Sequence, residues 1–310
     1  MFINNYDDKR YYTLNNYYHD QYNSKVFKVN LNSNLSCPNR DGSLGHEGCI
    51  FCLNRGGDFG GDPNDSLKVQ FEKIKAMMLK KWPQAKYIAY FGANTNTYAP
   101  LDKLKEMFEE VLTYDGVIGL SISTRCDAIS DEVVNYLSEL NKRTNLTIEL
   151  GLQSMHDETL KLINRGHDLK SFDVMVKKLK RHNIPVVVHI INGLPFETKK
   201  MMIETVKYLN KLNIDGIKIH MLHVLKNTKL AKMHQNNEFI LLSKDEYIDI
   251  VCDQLEQLNP KIVIHRITGD PNIDDLIEPA WLVKKFSVLN DIDKELKKRS
   301  SFQGKRLTNK

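Results

Sequence analysis

Apolar residues recur along most of the chain in two alternating arrangements. Short runs that are apolar throughout, or that alternate with polar residues, are typical of strands and occur at residues 26–31, 87–91, 117–123, 146–152, 184–192 and 216–222. Between these runs, apolar residues recur every three or four positions, as at Leu104, Met107, Phe108 and Val111. That spacing predicts amphipathic helices. The chain therefore predicts a regular alternation of strand and helix.

This alternation favours an α/β fold built on a parallel sheet. Successive strand–helix units pair their strands in parallel through right-handed crossovers. The six predicted units are too few to close the usual eight-stranded barrel. We therefore expect a partial (β/α)6 TIM-like barrel, with its chemistry at the carboxyl ends of the strands.

Beyond residue 225 the pattern loosens, but no linker interrupts the chain. A helix at 243–258, a final strand at 262–266 and a helix from about Trp281 towards Arg299 are expected there. We divide the chain into an N-terminal extension at 1–24, a core domain at 25–225 and a C-terminal α/β extension at 226–310 packed on the core.

Composition and charge exclude several classes of protein. No apolar run approaches the roughly eighteen residues of a membrane span, and the first residues lack the layout of a signal peptide. We expect a cytoplasmic protein without membrane contact, whose cysteines stay reduced. The net charge of +5 is mildly basic, and part of the excess lies at Lys297, Lys298, Arg299, Lys305 and Arg306. Such a run is either a solvated face or a contact for RNA or another anion.

Three of the five cysteines, Cys37, Cys49 and Cys52, fall in a Gly-rich and Pro-containing loop after the first predicted strand, and the Gly-rich character continues at 54–57. Clustered thiolates in a reducing compartment favour a metal site. Three thiolates without a fourth would leave one iron of an iron–sulfur cluster open to another ligand, whereas His46 would complete a Cys3His zinc site. The position of the loop at the predicted barrel mouth favours a cofactor. Cys126 and Cys252 are expected in the core.

The cysteine loop and three later motifs resemble the radical S-adenosylmethionine (SAM) superfamily. The motifs are Glu149-Leu-Gly-Leu-Gln-Ser154, Arg165-Gly166-His167 and His189-Ile-Ile-Asn-Gly-Leu-Pro195. The eleven residues between Cys37 and Cys49 replace the usual Cys-x3-Cys-x2-Cys spacing and resemble the longer loop of the Elongator catalytic-subunit type. Oxygen-independent coproporphyrinogen oxidases share similar elements. The resemblance covers roughly residues 25–225.

The resemblance implies a mechanism and its cofactors. Cys37, Cys49 and Cys52 would hold a [4Fe–4S] cluster, and the methionine end of SAM would chelate the fourth iron. One electron, from a reductant such as flavodoxin or ferredoxin, would cleave SAM to methionine and a 5′-deoxyadenosyl radical. That radical would abstract a hydrogen from the substrate, while the protein orients the reactants and excludes water and oxygen.

The resemblance also implies which residues contact SAM. Arg165 would pair with the methionine carboxylate as a planar, bidentate donor, and Gln153 would bind a ribose or a carboxylate. Gly193 would let the backbone approach the adenine closely. Glu149 and His189 belong to the same motifs and are expected in the SAM site.

At two positions the chain departs from the family pattern. The family usually has a Gly-Gly pair after the second strand, in contact with the SAM amino group, whereas this chain has Gly92 and Asn94 near that point. An acidic residue often meets SAM after the third strand, where this chain offers Ser123. These three residues are expected to take those places.

Candidates for the substrate side come from the last predicted strands and the turn that follows. They are His220, His223, His265, Arg266 and Asp270. By analogy with the Elongator type, we expect a tRNA nucleoside as the substrate of hydrogen abstraction. Two alternatives stay open: a small-molecule radical SAM enzyme of the decarboxylase or oxidase type, and a zinc-stabilised RNA-binding module without catalysis.

Overall fold

The computed structural model describes residues 8–53 and 60–307; the Gly-rich stretch at 54–57 lies outside the described residues. The strands are β1 (Val26–Leu31), β2 (Lys86–Phe91), β3 (Val117–Thr124), β4 (Asn145–Gln153), β5 (Val186–Asn192), β6 (Gly216–Met221), β7 (Val224–Leu225), β8 (Val263–Arg266) and β9 (Leu276–Glu278). The helices are α1 (Leu14–Tyr22), α2 (Leu67–Leu79), α3 (Leu101–Leu112), α4 (Asp131–Asn141), α5 (Asp157–Leu162), α6 (Leu169–Arg181), α7 (Lys199–Asn210), α8 (Lys229–Gln235), α9 (Lys244–Gln257) and α10 (Lys285–Lys298).

Seven of the strands form one parallel sheet in the order β1-β2-β3-β4-β5-β6-β8. The sheet is open, because β1 and β8 are its two edges and do not pair with each other. This confirms the prediction of an α/β partial barrel. The final predicted strand, β8, joins the same sheet beside β6, so the sheet has one strand more than the six β/α units required. Strands β7 and β9 form a separate antiparallel ribbon.

Helices cover the convex face of the sheet, each placed by a short capping sequence. Ser130 caps α4 by accepting a hydrogen bond from the backbone N–H of Val133, and Asp168 caps α6 in the same way. The apolar stripe of α6, which includes Phe172 and Val176, is fully buried against the sheet. Burial of such stripes is the main stabilising term in a fold of this kind.

The first helix, α1, closes part of the gap between the two edge strands. It is capped by Thr13, which also forms a bridge with Ile264 of β8, while Tyr18 of the helix packs on Val26 of β1. The residues before 25 showed no clear hydrophobic period, so this helix was not predicted.

The two faces of the sheet differ in polarity because side chains alternate along each strand. In β4, Ile148, Leu150 and Leu152 are fully buried among apolar residues on the helix side. The residues between them, Glu149 and Gln153 included, point to the concave face, where polar side chains of several strands meet. The sheet therefore gathers its polar groups inside the half-barrel.

The C-terminal part packs directly onto the core. Helix α9 lies between α7 and α10, with Val251 and Leu255 fully buried. The predicted last helix begins as a 3-10 turn at Ala280–Lys284 and becomes α-helical at α10. The division of the chain at residue 225 stays a prediction. Among the described residues, every helix is too short or too polar to cross a membrane.

Candidate functional site

A cavity of about 210 Å3 lies at the carboxyl ends of the first five strands. All three loop cysteines line it, together with seven of the eight predicted SAM residues: Gly92, Asn94, Ser123, Glu149, Gln153, Arg165 and His189. Cys126 and Cys252 do not line this cavity and are buried elsewhere, as expected. Residues far apart in the chain therefore converge on the cysteine loop.

The cysteine loop is held by backbone and amide hydrogen bonds. The carbonyl of Cys37 accepts from the N–H groups of Arg40 and Asp41, and the N–H of Cys52 donates to the carbonyl of Cys49 at 3.0 Å. Asn39 donates from its amide to the carbonyl of Asn164 at 2.6 Å and lies 3.9 Å from the sulfur of Cys49. These bonds tie the loop to the segment that follows α5.

The spacing of the sulfurs does not suit a single zinc ion. Zinc–sulfur bonds of about 2.3 Å bring tetrahedral ligands within roughly 4 Å of one another. Within the described ranges, the one set of three ligand atoms that all lie within 4.8 Å is Cys126, Asp127 and His167. His46 is exposed, packs over Gly42 and does not line the cavity. The described side chains therefore do not gather His46 with the three cysteines as the Cys3His zinc alternative requires.

The guanidinium of Arg165 lies between the cysteine loop and β4. Its Nε and Nη2 donate to the carbonyl of Gly151, at 3.2 and 2.7 Å, and its Nη1 lies 3.7 Å from the sulfur of Cys49. Three of its five N–H groups are engaged in this way, and the others remain for a ligand. A positive group beside the thiolates also suits an anionic iron–sulfur cluster.

Two of the predicted SAM residues have left-handed backbones, and one of them, Gln153, is strained. Gln153 has φ +73° and Asn94 has φ +61°, both in the left-handed region. Asparagine adopts this region readily, but glutamine seldom does. Gln153 also follows an irregularity in the pairing of β4 with β5. Such strain persists where the surrounding structure enforces it, and it concentrates at functional sites.

A buried carboxylate, that of Glu149, forms the floor of the cavity. It is fully buried and accepts from Lys28 and Lys218, each at 2.5 Å, and it lies 2.7 Å from Nε2 of His189. Ser121 donates to it at 2.8 Å. Burial alone would raise the pKa of Glu149, but Lys218, Lys28 and His189 together hold that pKa well below its usual range. Glu149 is thus an anion whose oxygens are already occupied by the protein.

The two lysines and Tyr90 were not singled out from the sequence. Lys28 and Lys218 lie within 5.1 and 4.5 Å of the Tyr90 ring centre, and Lys218 donates to the Tyr90 hydroxyl at 3.0 Å. The Tyr90 hydroxyl lies 2.8 Å from that of Ser123, which links this set to the cavity wall. A usable signal existed, because each lysine is a charged residue in the middle of a predicted strand of the sheet, where charged side chains are seldom buried without a partner.

A second cavity of about 260 Å3 adjoins the first. The two share Phe51, Cys52, Gln153 and His189 as lining residues. The remaining wall is mainly apolar, with His220, His223, Pro271 and Asn272 at one side. Burial is the main cause that lowers the pKa of His223 to about 4, and burial likewise lowers the pKa of His220. Both predicted histidines therefore lie beside this cavity as neutral rings.

Four predicted residues lie apart from both cavities. Gly193 has φ +85° and packs against Leu242, where a side chain would meet that residue at 3.1 Å. His265 is half-buried, with its ring against Gly216. Asp270 accepts from Lys285 at 2.7 Å and lies 4.0 Å from Arg266. The turn at Gly193 therefore serves local packing. His265, Arg266 and Asp270 contact neighbouring protein residues and not the cavities.

The basic C-terminal run is largely neutralised by the chain itself. Arg299 pairs with Asp253 and Glu295 at 2.8 and 2.9 Å, and Arg306 pairs with Glu256 at 2.7 Å. Lys298 lies 3.5 Å from Glu295. A phosphate would have to displace these carboxylates to reach the two arginines. Contact of this run with RNA or another anion stays a prediction.

The fold and the cysteine-lined cavity define a class of protein. The model of the radical SAM superfamily matches residues 42–209, and that of the radical SAM C-terminal domain matches residues 214–298. The chain belongs to the radical SAM superfamily. It is therefore an enzyme of a family whose members use a [4Fe–4S] cluster and SAM and need a reductant. This overturns the alternative of a non-catalytic RNA-binding module.

The chain is also similar to individual proteins. The chain is 51% identical to the uncharacterized protein YtqA of Bacillus subtilis over 299 residues, which is 96% of this chain and 93% of YtqA. It is 29% identical to the tRNA uridine(34) acetyltransferase of Methanocaldococcus infernus over 137 residues, 43% of this chain and 25% of that protein. The structure of Elp3 from the same archaeon shares its fold, with a TM-score of 0.68 at 19% identity, over 90% of this chain and 64% of that one.

Gly151 offers a direct test of the cavity. A Cβ at this position would lie 2.7 Å from the Gln153 amide nitrogen and 2.8 Å from Nη2 of Arg165, which are the ends of two flexible side chains. We expect Gly151→Ala to fold normally, since a glycine inside a strand costs about 0.5–1 kcal/mol relative to alanine. It should weaken SAM binding about ten- to hundredfold, because both side chains are displaced. Equilibrium dialysis with SAM and thermal unfolding measure the two effects. Unchanged affinity would show that Gln153 and Arg165 do not bind SAM.

Proposed function

We propose that Cys37, Cys49 and Cys52 hold a [4Fe–4S] cluster and that SAM binds in the cavity beside them. The observation that carries the proposal is that the three sulfurs share one cavity with Gln153 and Arg165. When bound, the cluster and SAM supply one-electron cleavage of SAM and hydrogen abstraction from a substrate. A reductant such as flavodoxin or ferredoxin provides the electron.

The residues of the chain have three tasks in this scheme. Arg165 pairs with the carboxylate of SAM through the N–H groups that Gly151 leaves free, and Gln153 contacts the ribose or the carboxylate. Gly92, Asn94 and Ser123 line the same cavity. Glu149 supports this set from below, because its oxygens are filled by protein donors. Gly193 is left out of the SAM set because it packs against Leu242.

We place the substrate in the second cavity, next to Cys52 and Gln153. The shared wall brings a substrate there close to SAM, as hydrogen transfer requires. His220 and His223 offer neutral rings to it. The mainly apolar wall protects a reactive species from water.

A tRNA nucleoside is the proposed substrate. Its support is the relative that acts on tRNA uridine(34), which matches 43% of this chain. A cavity at the end of a barrel reaches a nucleoside only when the base leaves its stack, as other base-modifying enzymes require. A small-molecule substrate is the second candidate, favoured by the ion pairs that neutralise the C-terminal arginines.

Iron binding tests the first part of the proposal. Anaerobically reconstituted protein should carry about four irons per chain, as a cluster held by three thiolates requires. Cys37→Ala, Cys49→Ala and Cys52→Ala should each lose most of this iron. Cys126→Ala and Cys252→Ala are matched controls, because both thiols lie outside the cavity, and they should retain it. Stoichiometric zinc, or equal loss in the controls, would contradict the assignment.

Product formation with tRNA tests the substrate. Reduced protein should form 5′-deoxyadenosine faster with tRNA from a strain that lacks this protein than with tRNA from its parent, since parental tRNA is already modified. Nucleoside profiling of both tRNA pools should show one altered nucleoside. Equal rates with both pools, and identical profiles, would favour the small-molecule candidate instead.

A further inference from the structure

Among the described residues, which exclude 54–59, His189 and Cys52 are the titratable side chains that line both cavities. Its Nε2 lies 2.7 Å from Oε2 of Glu149. An ionised carboxylate only accepts hydrogen bonds, so Nε2 must carry the proton and donate. The two lysines on Glu149 keep that carboxylate ionised.

Apart from Glu149 and Tyr90, the titratable groups around His189 are basic. The charged or titratable groups that face it or its partner are Lys28 on β1, Tyr90 on β2, Glu149 on β4, Lys218 and His220 on β6, and His265 and Arg266 on β8. Burial, followed by Lys218, lowers the pKa of His189 to about 4, although Glu149 opposes the shift. A proton on the second nitrogen would add a further positive charge beside two lysines.

The second ring nitrogen, Nδ1, is left with a lone pair. Within residues 8–53 and 60–307 it has no hydrogen-bond partner, and it is not among the buried unpartnered atoms. The side chain keeps 19% of its surface accessible. Nδ1 therefore faces open space at the junction of the two cavities.

We propose that Glu149 and Lys218 are positioning residues that lock His189 as the neutral Nε2–H tautomer, so that Nδ1 accepts a hydrogen bond from an N–H or O–H group of SAM or substrate. That SAM or substrate supplies the donor group rests on the proposed function, which assigns these two molecules to the cavities on either side of His189. A lone pair repels anions, so this position selects a hydroxyl or amine and rejects a carboxylate or phosphate.

The arrangement differs from a purely structural ion-pair cluster. A cluster that served only stability would be satisfied by a protonated His189 paired with Glu149. Here the second lysine makes that pairing unfavourable, because Lys218 already supplies the positive charge to the same carboxylate oxygen, Oε2. The tautomer and the charge of His189 are therefore the properties to measure.

Nitrogen NMR of the full chain tests the tautomer directly. The protein is labelled with 15N-histidine and prepared without iron, so that no paramagnetic centre broadens the signals, and His189→Gln identifies the resonances. We expect a neutral ring between pH 6 and 8 with the proton on Nε2. A proton on Nδ1, or an imidazolium at pH 7, would overturn the proposal whatever the activity of the enzyme.

Lys218→Met tests the role of the lysine. Removing this cation should raise the pKa of His189 by at least about 1, which is a tenfold gain in proton affinity. Lys161→Met is the control, because it removes the same single positive charge at an exposed position on α5. An unchanged pKa in Lys218→Met would exclude Lys218 as a positioning residue. If that variant does not fold, the wild-type tautomer and pKa decide the proposal alone.

Two substitutions of His189 test whether Nδ1 accepts a hydrogen bond in the enzyme that carries its cluster. His189→Gln supplies both a donor for Glu149 and an acceptor oxygen, whereas His189→Phe supplies neither. The apparent KM for SAM or substrate should rise about tenfold in His189→Phe, as loss of one buried hydrogen bond predicts, and much less in His189→Gln. Equal KM values in both variants would overturn the acceptor role. Absence of SAM cleavage in the wild type would instead refute the proposed function and leave the tautomer to the NMR measurement.

Discussion

The carboxylate of Glu149, fully buried between Lys28 and Lys218, is the constraint on which the site depends. A buried charge is tolerated only when it is paired and fully hydrogen-bonded. The groups that contact Glu149 lie on four strands: Lys28 on β1, Ser121 on β3, His189 on β5 and Lys218 on β6. The curvature of the sheet therefore has to bring all four strands to one point. The cavity with the cysteines lies directly above this polar layer, because Glu149, Ser123 and His189 line its floor. The geometry of the layer therefore sets the geometry of the site.

Much of the fold followed from local sequence. Hydrophobic periodicity is a property of neighbouring residues, so the β/α alternation and the six strands were predictable, and parallel pairing followed from chain connectivity. The seventh strand was predicted as a strand, but its place beside β6 was not. Helix α1 was missed because its polar residues, such as Asn15 and Asp20, give it no clear apolar stripe.

The site was predictable where a motif carries the chemistry and unpredictable where partners are distant. The cysteines and Gln153 belong to short motifs. The pairing of Lys28 with Glu149 joins residues 121 positions apart, and only the order of the strands reveals it. The ion pairs of the C-terminal run could not be predicted for the same reason, because the carboxylates that pair with Arg299 and Arg306 come largely from α9, distant in sequence.

The central claim is that one cavity holds the cluster and SAM together. The most direct measurement is the electron paramagnetic resonance spectrum of the reduced, reconstituted protein before and after SAM is added. With three cysteine ligands, one iron has no protein thiolate and is available to SAM. The spectrum should therefore change when SAM binds, and Gly151→Ala should need more SAM to produce the change. A reduced cluster whose spectrum stays the same at saturating SAM would contradict the account.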